Sequence, residues 1–153
     1  MHVAPSDALP RAARAHTAPY LRWIVAATEI VVGVGAVFGG YGLLSDAGAL
    51  GAKQAWLDGS VFPDYTVPGL VLLVAVGGGM LCAAAITVFA RRRACAAARI
   101  MATVLALWGL TETVVIGWRG WQQIVLVGAF VVAPAVILAV FAAHERVALP
   151  AER

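Results

Sequence analysis

The stretch "VPGLVLLVAVGGGMLCAAAITVFARRR", residues 67–93, decides the fold class. Its apolar part contains no charged side chain, and three arginines follow it directly. A helix needs about 20 apolar residues to cross the hydrocarbon core of a bilayer. In lipid, a helix satisfies the hydrogen bonds of its own backbone, which an isolated extended segment cannot do. The stretch therefore predicts a membrane-spanning helix that ends at a charged boundary.

Similar apolar blocks occur elsewhere in the 153-residue chain, which is 62% hydrophobic and only 12% charged. A soluble domain of this length would carry far more charge on its surface. We therefore predict an all-α, polytopic membrane protein, a four-transmembrane-helix bundle with a long structured loop between its first two helices. The predicted divisions are a tail over 1–18, a transmembrane domain over 19–146 and a tail over 147–153. Within the transmembrane domain the spans lie at about 21–44, 67–90, 100–118 and 122–143, and the loop between the first two covers 45–66.

The basic residues predict the orientation of these spans. The net charge is +3, which can indicate nucleic-acid binding, but all the Lys and Arg residues except Lys53 and Arg119 fall on one side of the predicted membrane. Loops rich in Lys and Arg stay in the cytoplasm. We therefore expect a multi-pass protein of the bacterial cytoplasmic membrane, with both tails cytoplasmic and the loop over 45–66 external. Its surroundings are lipid, and no nucleic acid is expected as a partner.

Residues with the usual catalytic or ligand chemistries are scarce. Cys82 and Cys95 form no CxxC pair, and His2, His16 and His144 fall outside the predicted spans. The sequence contains no metal-ligand cluster, phosphate-binding glycine loop or nucleophile motif. We therefore expect no catalytic residue, no metal site and no cofactor, in a protein that is not an enzyme.

Glycines in the first two predicted spans indicate close helix packing. Gly35 and Gly39 form a GxxxG pair, a spacing that lets two helix backbones approach each other. The first interpretation is packing within one bundle. The alternatives are a homo-oligomer or a larger membrane complex, in which the same glycines would form the contact between chains.

Two carboxyl groups, those of Glu29 and Glu112, lie inside predicted spans. An acidic residue at the centre of a span costs about 2.5–3.5 kcal/mol on insertion scales, so it normally faces protein or a water-filled cavity. At 1.5 Å per residue the two carboxyls differ in height by about 11 Å, which indicates two stations on a polar path or two separate packing sites. Arg119, whose side chain can bend back toward Glu112, and Gln122 and Gln123 in the same turn are further candidates for a ligand or proton site.

The long loop between the first two spans is a second candidate region, because long loops usually carry structure or function. We expect a short interfacial helix over 47–57, and we expect Asp64 or Thr66 to cap the second span. The acids and prolines of the loop then have a structural explanation. The alternative is a lid or a partner-docking surface, for which the candidate residues are Trp56, Asp58, Asp64 and Tyr65.

The chain resembles a family of small four-span bacterial integral membrane proteins that have no characterised activity. The resemblance rests on "EIVVGVGAVFGGYGLL" (29–44), "WLDGSVFPDYTVPGLVLL" (56–73) and "GWRGWQQ" (117–123). It implies a four-helix membrane fold and brings no catalytic residue with it. The Ala-, Gly- and Arg-rich composition is typical of an actinobacterium.

A second resemblance is to small multidrug-resistance transporters, which have four spans and a glutamate in the first of them. The segment "ATEIVVG" (27–33) is similar to their pattern around that glutamate. The resemblance implies that Glu29 would bind protons and cations. The long loop, the presence of Glu112 and the one-sided arginines depart from that family.

Two functions from different classes follow from these observations. The first is a non-enzymatic accessory or interaction subunit, which binds a partner through the loop and the small-residue helix faces. The alternative is a small-solute or proton-coupled transporter, or a binder of hydrophobic ligands, that uses the intramembrane acids Glu29 and Glu112.

Overall fold

The structure, a computed structural model, describes residues 9–117 and 127–148. Within those ranges the chain forms helices and turns and no strand, as the all-α prediction requires. The helices are α1, Leu9–Asp46; α2, which runs through Thr66–Leu70, Val71–Gly78 and Gly79–Phe89; α3, Arg91–Ile116; and α4, which runs through Gly128–Val132 and Ala133–Ala148.

Three of these helices are long and apolar enough to cross a membrane, over Tyr20–Asp46, Thr66–Phe89 and Arg92–Val115. The described part of α4 adds a shorter apolar stretch, Gly128–Ala143. Their outward faces also carry large apolar side chains: Phe38 is 71% exposed and Val114 is 74% exposed. Soluble proteins rarely leave wide apolar patches in water, so this exterior fits a lipid environment.

Two helices begin earlier than the hydropathy pattern predicts. α1 begins at Leu9, so residues 9–18, expected as part of a tail, are helical. α3 begins at Arg91, where a connection before the third span was expected. Ala and Arg are strong helix formers and dominate both stretches, so the helices continue beyond the apolar residues. The predicted short turn between the third and fourth spans, at 118–123, lies outside the described residues.

A single residue, Ala90, joins α2 to α3. Its backbone angles, φ −125° and ψ 66°, are not helical, and the chain reverses direction there. α2 and α3 pack closely along Gly79–Phe89, and their contact becomes sparse along Val71–Gly78. The two helices therefore diverge with distance from Ala90. We call this end of the molecule the arginine end, and the opposite end, with residues 47–65, the loop end.

The helices pack in a ring, with α1 on α2, α2 on α3, α3 on α4 and α4 on α1. The Cys95 thiol on α3 also donates a hydrogen bond to the Ala142 carbonyl on α4, over 3.3 Å. The centre of the ring is aliphatic and aromatic. Its largest fully buried apolar side chains are those of Val25, Val76, Met80, Leu105, Leu138 and Phe141.

Glycines bring α1 and α2 together, but the closest approach is not at the predicted GxxxG pair. A Cβ added at Gly40 would lie 2.6 Å from the Leu73 nitrogen and 2.7 Å from the Gly69 oxygen. A Cβ on Gly35 would meet only a Phe130 ring carbon at 3.6 Å, an ordinary contact. The backbones therefore cross at Gly40, while Gly35 faces α4.

The loop between α1 and α2 is structured by hydrogen bonds between its two halves. The Tyr65 hydroxyl donates to the Lys53 carbonyl over 2.9 Å, and the Gln54 side-chain amide donates to the Pro63 carbonyl over 2.7 Å. The helix expected over 47–57 does not form. Turns and the short 3-10 helix Gln54–Trp56 replace it, because Gly51 has a positive φ of 76° that no α-helix can contain.

Candidate functional site

A cavity of about 620 Å³ lies at the loop end, where α2 and α3 have diverged. α1, α2, α3 and the loop between α1 and α2 all line it. The loop contributes Trp56, Leu57, Phe62 and Tyr65, and α3 contributes Trp108 and Glu112. The remaining walls are mostly aliphatic, so the cavity is an apolar space with few polar groups.

Glu112 is the only charged residue among the described residues that line this cavity. Two other polar lining groups already have partners, since the Thr111 hydroxyl donates to the Leu107 carbonyl at 2.9 Å and the Tyr65 hydroxyl donates to the Lys53 carbonyl. No hydrogen bond or ion pair joins Glu112 to another described residue. The half-buried carboxyl group of Glu112 is thus a polar group available to a molecule in the cavity.

A second cavity, of about 330 Å³, meets the first at Glu112. It extends between α1 and α4, past Gly35, Phe130 and Val131. The two spaces have a common wall, formed by Gly39, Leu72, Val76, Trp108 and Glu112. Glu112 therefore lines both cavities.

Both cavities are bordered by helix segments with wide, π-helical turns. Val71–Gly78 in α2 supplies Val71, Leu72 and Val76 to the first cavity, and Gly128–Val132 in α4 supplies Phe130 and Val131 to the second. Such turns are uncommon and occur frequently at functional sites, because they displace side chains from their regular positions. Here they lie on two helices that face Glu112 from different sides.

Glu29 lies apart from both cavities. Its side chain is completely buried, with 0% exposure, and its nearest polar neighbour is the Thr87 hydroxyl of α2. Neither carboxyl oxygen has a well-formed hydrogen bond within the described residues, and neither does the Thr87 hydroxyl. Roughly 16 Å of helix separates Thr87 from Val76, which lies beside Glu112, at 1.5 Å per residue. The two acids therefore do not share a cavity.

The predicted loop residues separate into two groups. Trp56 and Tyr65 face the cavity, whereas Asp58 and Asp64 are exposed to the outside. Asp64 has a structural task, because its Oδ1 accepts a hydrogen bond from the backbone N–H of Thr66, the first residue of α2, over 2.8 Å. That bond holds the pKa of the Asp64 carboxyl below its ordinary value.

Three predicted site residues, Arg119, Gln122 and Gln123, lie outside the described residues. Trp108 also lines the cavity, although it was not among the candidate site residues. It precedes Glu112 by four positions, one helical turn, and this spacing already places the two side chains on one face. No comparable spacing in the sequence indicates that Phe62 lines the cavity.

In the described ranges, no group of three or more His, Cys, Asp or Glu side chains could hold a metal ion. The comparisons with known proteins add no relative: no family model, no curated protein and no solved structure matches this chain.

Proposed function

We propose that this protein is a four-span protein of the bacterial cytoplasmic membrane that binds small hydrophobic molecules in the cavity beneath its external loop. The observation that carries the proposal is an apolar space of about 620 Å³ lined by one acidic side chain, Glu112, which has no hydrogen-bond or ion-pair partner among the described residues. Ligand sites are typically concave, mostly apolar and about 300–1,000 Å³ in volume, with a few polar groups that orient the ligand.

The arginines support the orientation in this proposal. Arg92, Arg93 and Arg99 are exposed at the arginine end, and the loop end has Lys53 as its one described basic residue. Basic residues favour the cytoplasmic side, so the loop and the cavity face outward. A ligand then enters from the outer leaflet or from the external solution.

The interaction role that the sequence favoured has less support. The two aromatic candidates of the loop, Trp56 and Tyr65, are turned toward the cavity and are not presented to a partner. Transport through a path that uses both acids also has less support, because Glu29 lines neither cavity. Ligand binding needs only Glu112 and the apolar and aromatic residues that line the first cavity with it.

Calorimetric titration of the protein in lipid nanodiscs tests this function, with empty nanodiscs subtracted. The probes are three small aromatic molecules: tert-butylbenzene, phenyltrimethylammonium and benzenesulfonate. We expect saturable 1:1 binding of at least one of them. Val104→Trp fills the first cavity and should weaken that binding at least tenfold, while Val114→Trp, the same change on the exposed face of α3, should leave it unchanged.

Ala52→Trp provides a second way to fill the cavity, from the loop, if Val104→Trp does not fold. Binding that is equal in the filled variants and in wild type would place the ligand elsewhere and contradict the proposal. Absence of saturable binding for all three probes would contradict it as well.

A further inference from the structure

Resting on the proposed function, we infer that the ligand of this cavity is a substituted ammonium ion with a hydrophobic body, whose positive head lies between the Glu112 carboxylate and the aromatic rings of the cavity. The inference concerns the charge and shape of the ligand, which the proposed function leaves open. It rests on the charge of the cavity, on its aromatic residues and on its two-part shape.

The described cavity wall holds one acidic side chain and no basic one. Glu112 contributes the single carboxylate, and no described Lys or Arg lines either cavity. A charge in an apolar space is unfavourable unless an opposite charge or hydrogen-bond donors accompany it. A cationic ligand supplies the opposite charge, while an anionic ligand would add repulsion and an uncharged hydrocarbon would supply neither a charge nor a donor.

The aromatic residues favour an organic cation. Trp56, Phe62, Tyr65 and Trp108 all line the first cavity, on the loop side and on α3. The faces of aromatic rings attract cations, most strongly for Trp, and groups of such rings recognise quaternary ammonium ions. Trp108 lies one turn from Glu112, so a cation that pairs with the carboxylate comes close to an indole ring as well.

An inorganic cation fits the cavity poorly. Hard metal ions such as Mg²⁺ and Ca²⁺ take about six to eight oxygen ligands. Among the described lining residues only the side chains of Glu112, Thr111 and Tyr65 carry oxygen, which is fewer ligands than such an ion takes. The aliphatic walls instead suit the hydrocarbon part of a ligand.

The shape of the paired cavities indicates where that hydrocarbon part lies. The first cavity holds far more than an ammonium head, and the second continues from Glu112 between α1 and α4. A head at Glu112 therefore leaves space for an apolar body on either side. Leu43, Val71 and Leu107 border one space, and Val32 and Phe130 border the other.

The same nanodisc titration tests the charge preference. Phenyltrimethylammonium and tert-butylbenzene have the same shape and differ in a positive nitrogen in place of a carbon. We expect wild type to bind the cation at least tenfold more tightly than the neutral isostere, and benzenesulfonate more weakly than either. Glu112→Gln should abolish this preference while tert-butylbenzene binding stays within twofold of wild type.

Two further variants separate the contribution of Glu112 to cation binding from those of Glu29 and of the aromatic rings. Glu29→Gln, a matched change at the acid outside both cavities, should keep the full preference for the cation. Trp56→Leu, in the loop, should weaken cation binding at least threefold with little effect on the neutral isostere. This variant also tests the inference if Glu112→Gln fails to fold.

The outcomes distinguish this inference from the proposed function. Equal binding of cation and isostere by wild type, or a preference that survives Glu112→Gln, would overturn the inference and leave a hydrophobic binding site in place. Loss of the preference in Glu29→Gln but not in Glu112→Gln would overturn it too. If no probe binds in a manner that cavity filling abolishes, the proposed function itself is wrong and the inference fails with it.

Discussion

At the scale of single residues, Glu112 shows how a side chain that is unfavourable in an apolar helix can identify a candidate binding site. A carboxyl group in an apolar helix costs free energy unless the structure provides a suitable environment. The sequence identifies Glu29 and Glu112 equally, because both interrupt apolar stretches. It cannot distinguish them, since the difference arises from neighbours on other chain segments. Glu29 packs beside Thr87, and Glu112 faces open space beneath the loop.

Trp108 and Phe62 illustrate what a sequence can and cannot predict about a site. The four-residue spacing between Trp108 and Glu112 fixes a common helix face, so this pair was predictable. Phe62 reaches the same cavity only because the loop folds back over it. That return depends on hydrogen bonds between positions such as Tyr65 and Lys53, and no local pattern in the sequence specifies such a pairing.

Gly40→Ala tests the closest backbone contact of the fold. The added methyl group would lie 2.6 Å from the Leu73 nitrogen, a backbone atom that cannot move without displacing α2. We expect a loss of about 1–3 kcal/mol in the free energy of unfolding, the usual cost of overpacking. Denaturant unfolding in mixed micelles measures this loss.

Gly35→Ala is the matched control for that change. Its methyl group would meet Phe130 at an ordinary 3.6 Å, and Ala favours a helix over Gly by about 1 kcal/mol. We expect this variant to be as stable as wild type or slightly more stable. Equal destabilisation by both substitutions would show that the crossing of α1 and α2 does not lie at Gly40.

At the scale of secondary-structure elements, hydropathy predicts the middle of a helix better than its ends. The apolar blocks locate α1, α2 and α3, but α1 and α3 begin at Leu9 and Arg91, outside those blocks. Helix propensity continues through stretches rich in Ala and Arg, whose charged groups do not stop a helix. The wide turns at Val71–Gly78 are likewise invisible to hydropathy, because every residue there is apolar or glycine.

Two side-chain hydrogen bonds join the two halves of the loop, and Tyr65→Phe tests one of them. The change removes the hydrogen bond from the Tyr65 hydroxyl to the Lys53 carbonyl. A hydrogen bond of this kind contributes about 0.5–1.5 kcal/mol, so local opening of the loop should become about two- to tenfold more frequent. We expect trypsin to cleave after Lys53 faster by the same factor.

Mass spectrometry of the fragment ending at Lys53 measures that rate in nanodiscs. Tyr41→Phe is the control, because Tyr41 is an exposed side chain on α1 outside the loop. An unchanged cleavage rate in Tyr65→Phe would mean that the loop is held by its other contacts, among them the bond from Gln54 to Pro63.

At the scale of the whole molecule, the composition of the sequence predicts the fold class, and the structure adds the arrangement of the helices. Apolar length and low charge were sufficient to predict an all-helical fold with membrane-length helices. The one-residue joint at Ala90 makes α2 and α3 neighbours in the ring of helices. The cavity follows from the divergence of α2 and α3, a property of two helices and a loop together, which no single segment encodes.

The proposed orientation is testable with cysteine labelling in intact bacterial cells. In a background with Cys82→Ser and Cys95→Ser, Asp58→Cys places a thiol on the exposed part of the loop. We expect a membrane-impermeant maleimide to label it from outside, because basic residues favour the cytoplasmic side and the arginines lie at the opposite end.

Arg92→Cys is the complementary variant, at an exposed position of the arginine end. Its thiol should react only after the membrane has been permeabilised. Labelling of Arg92→Cys in intact cells, with protection of Asp58→Cys, would reverse the orientation and place the cavity on the cytoplasmic side.

The one-residue joint at Ala90 has a mechanical consequence. α2 and α3 are joined at Ala90 and are in contact along Gly79–Phe89. A change in the distance between them would therefore be a rotation about that joint, with the largest displacement at the loop end. A helix of the length of α2 is roughly 36 Å long, so each degree of rotation at the joint displaces its far tip by about 0.6 Å. A rotation of a few degrees would thus widen the loop end by a few ångströms and move the residues near the joint much less.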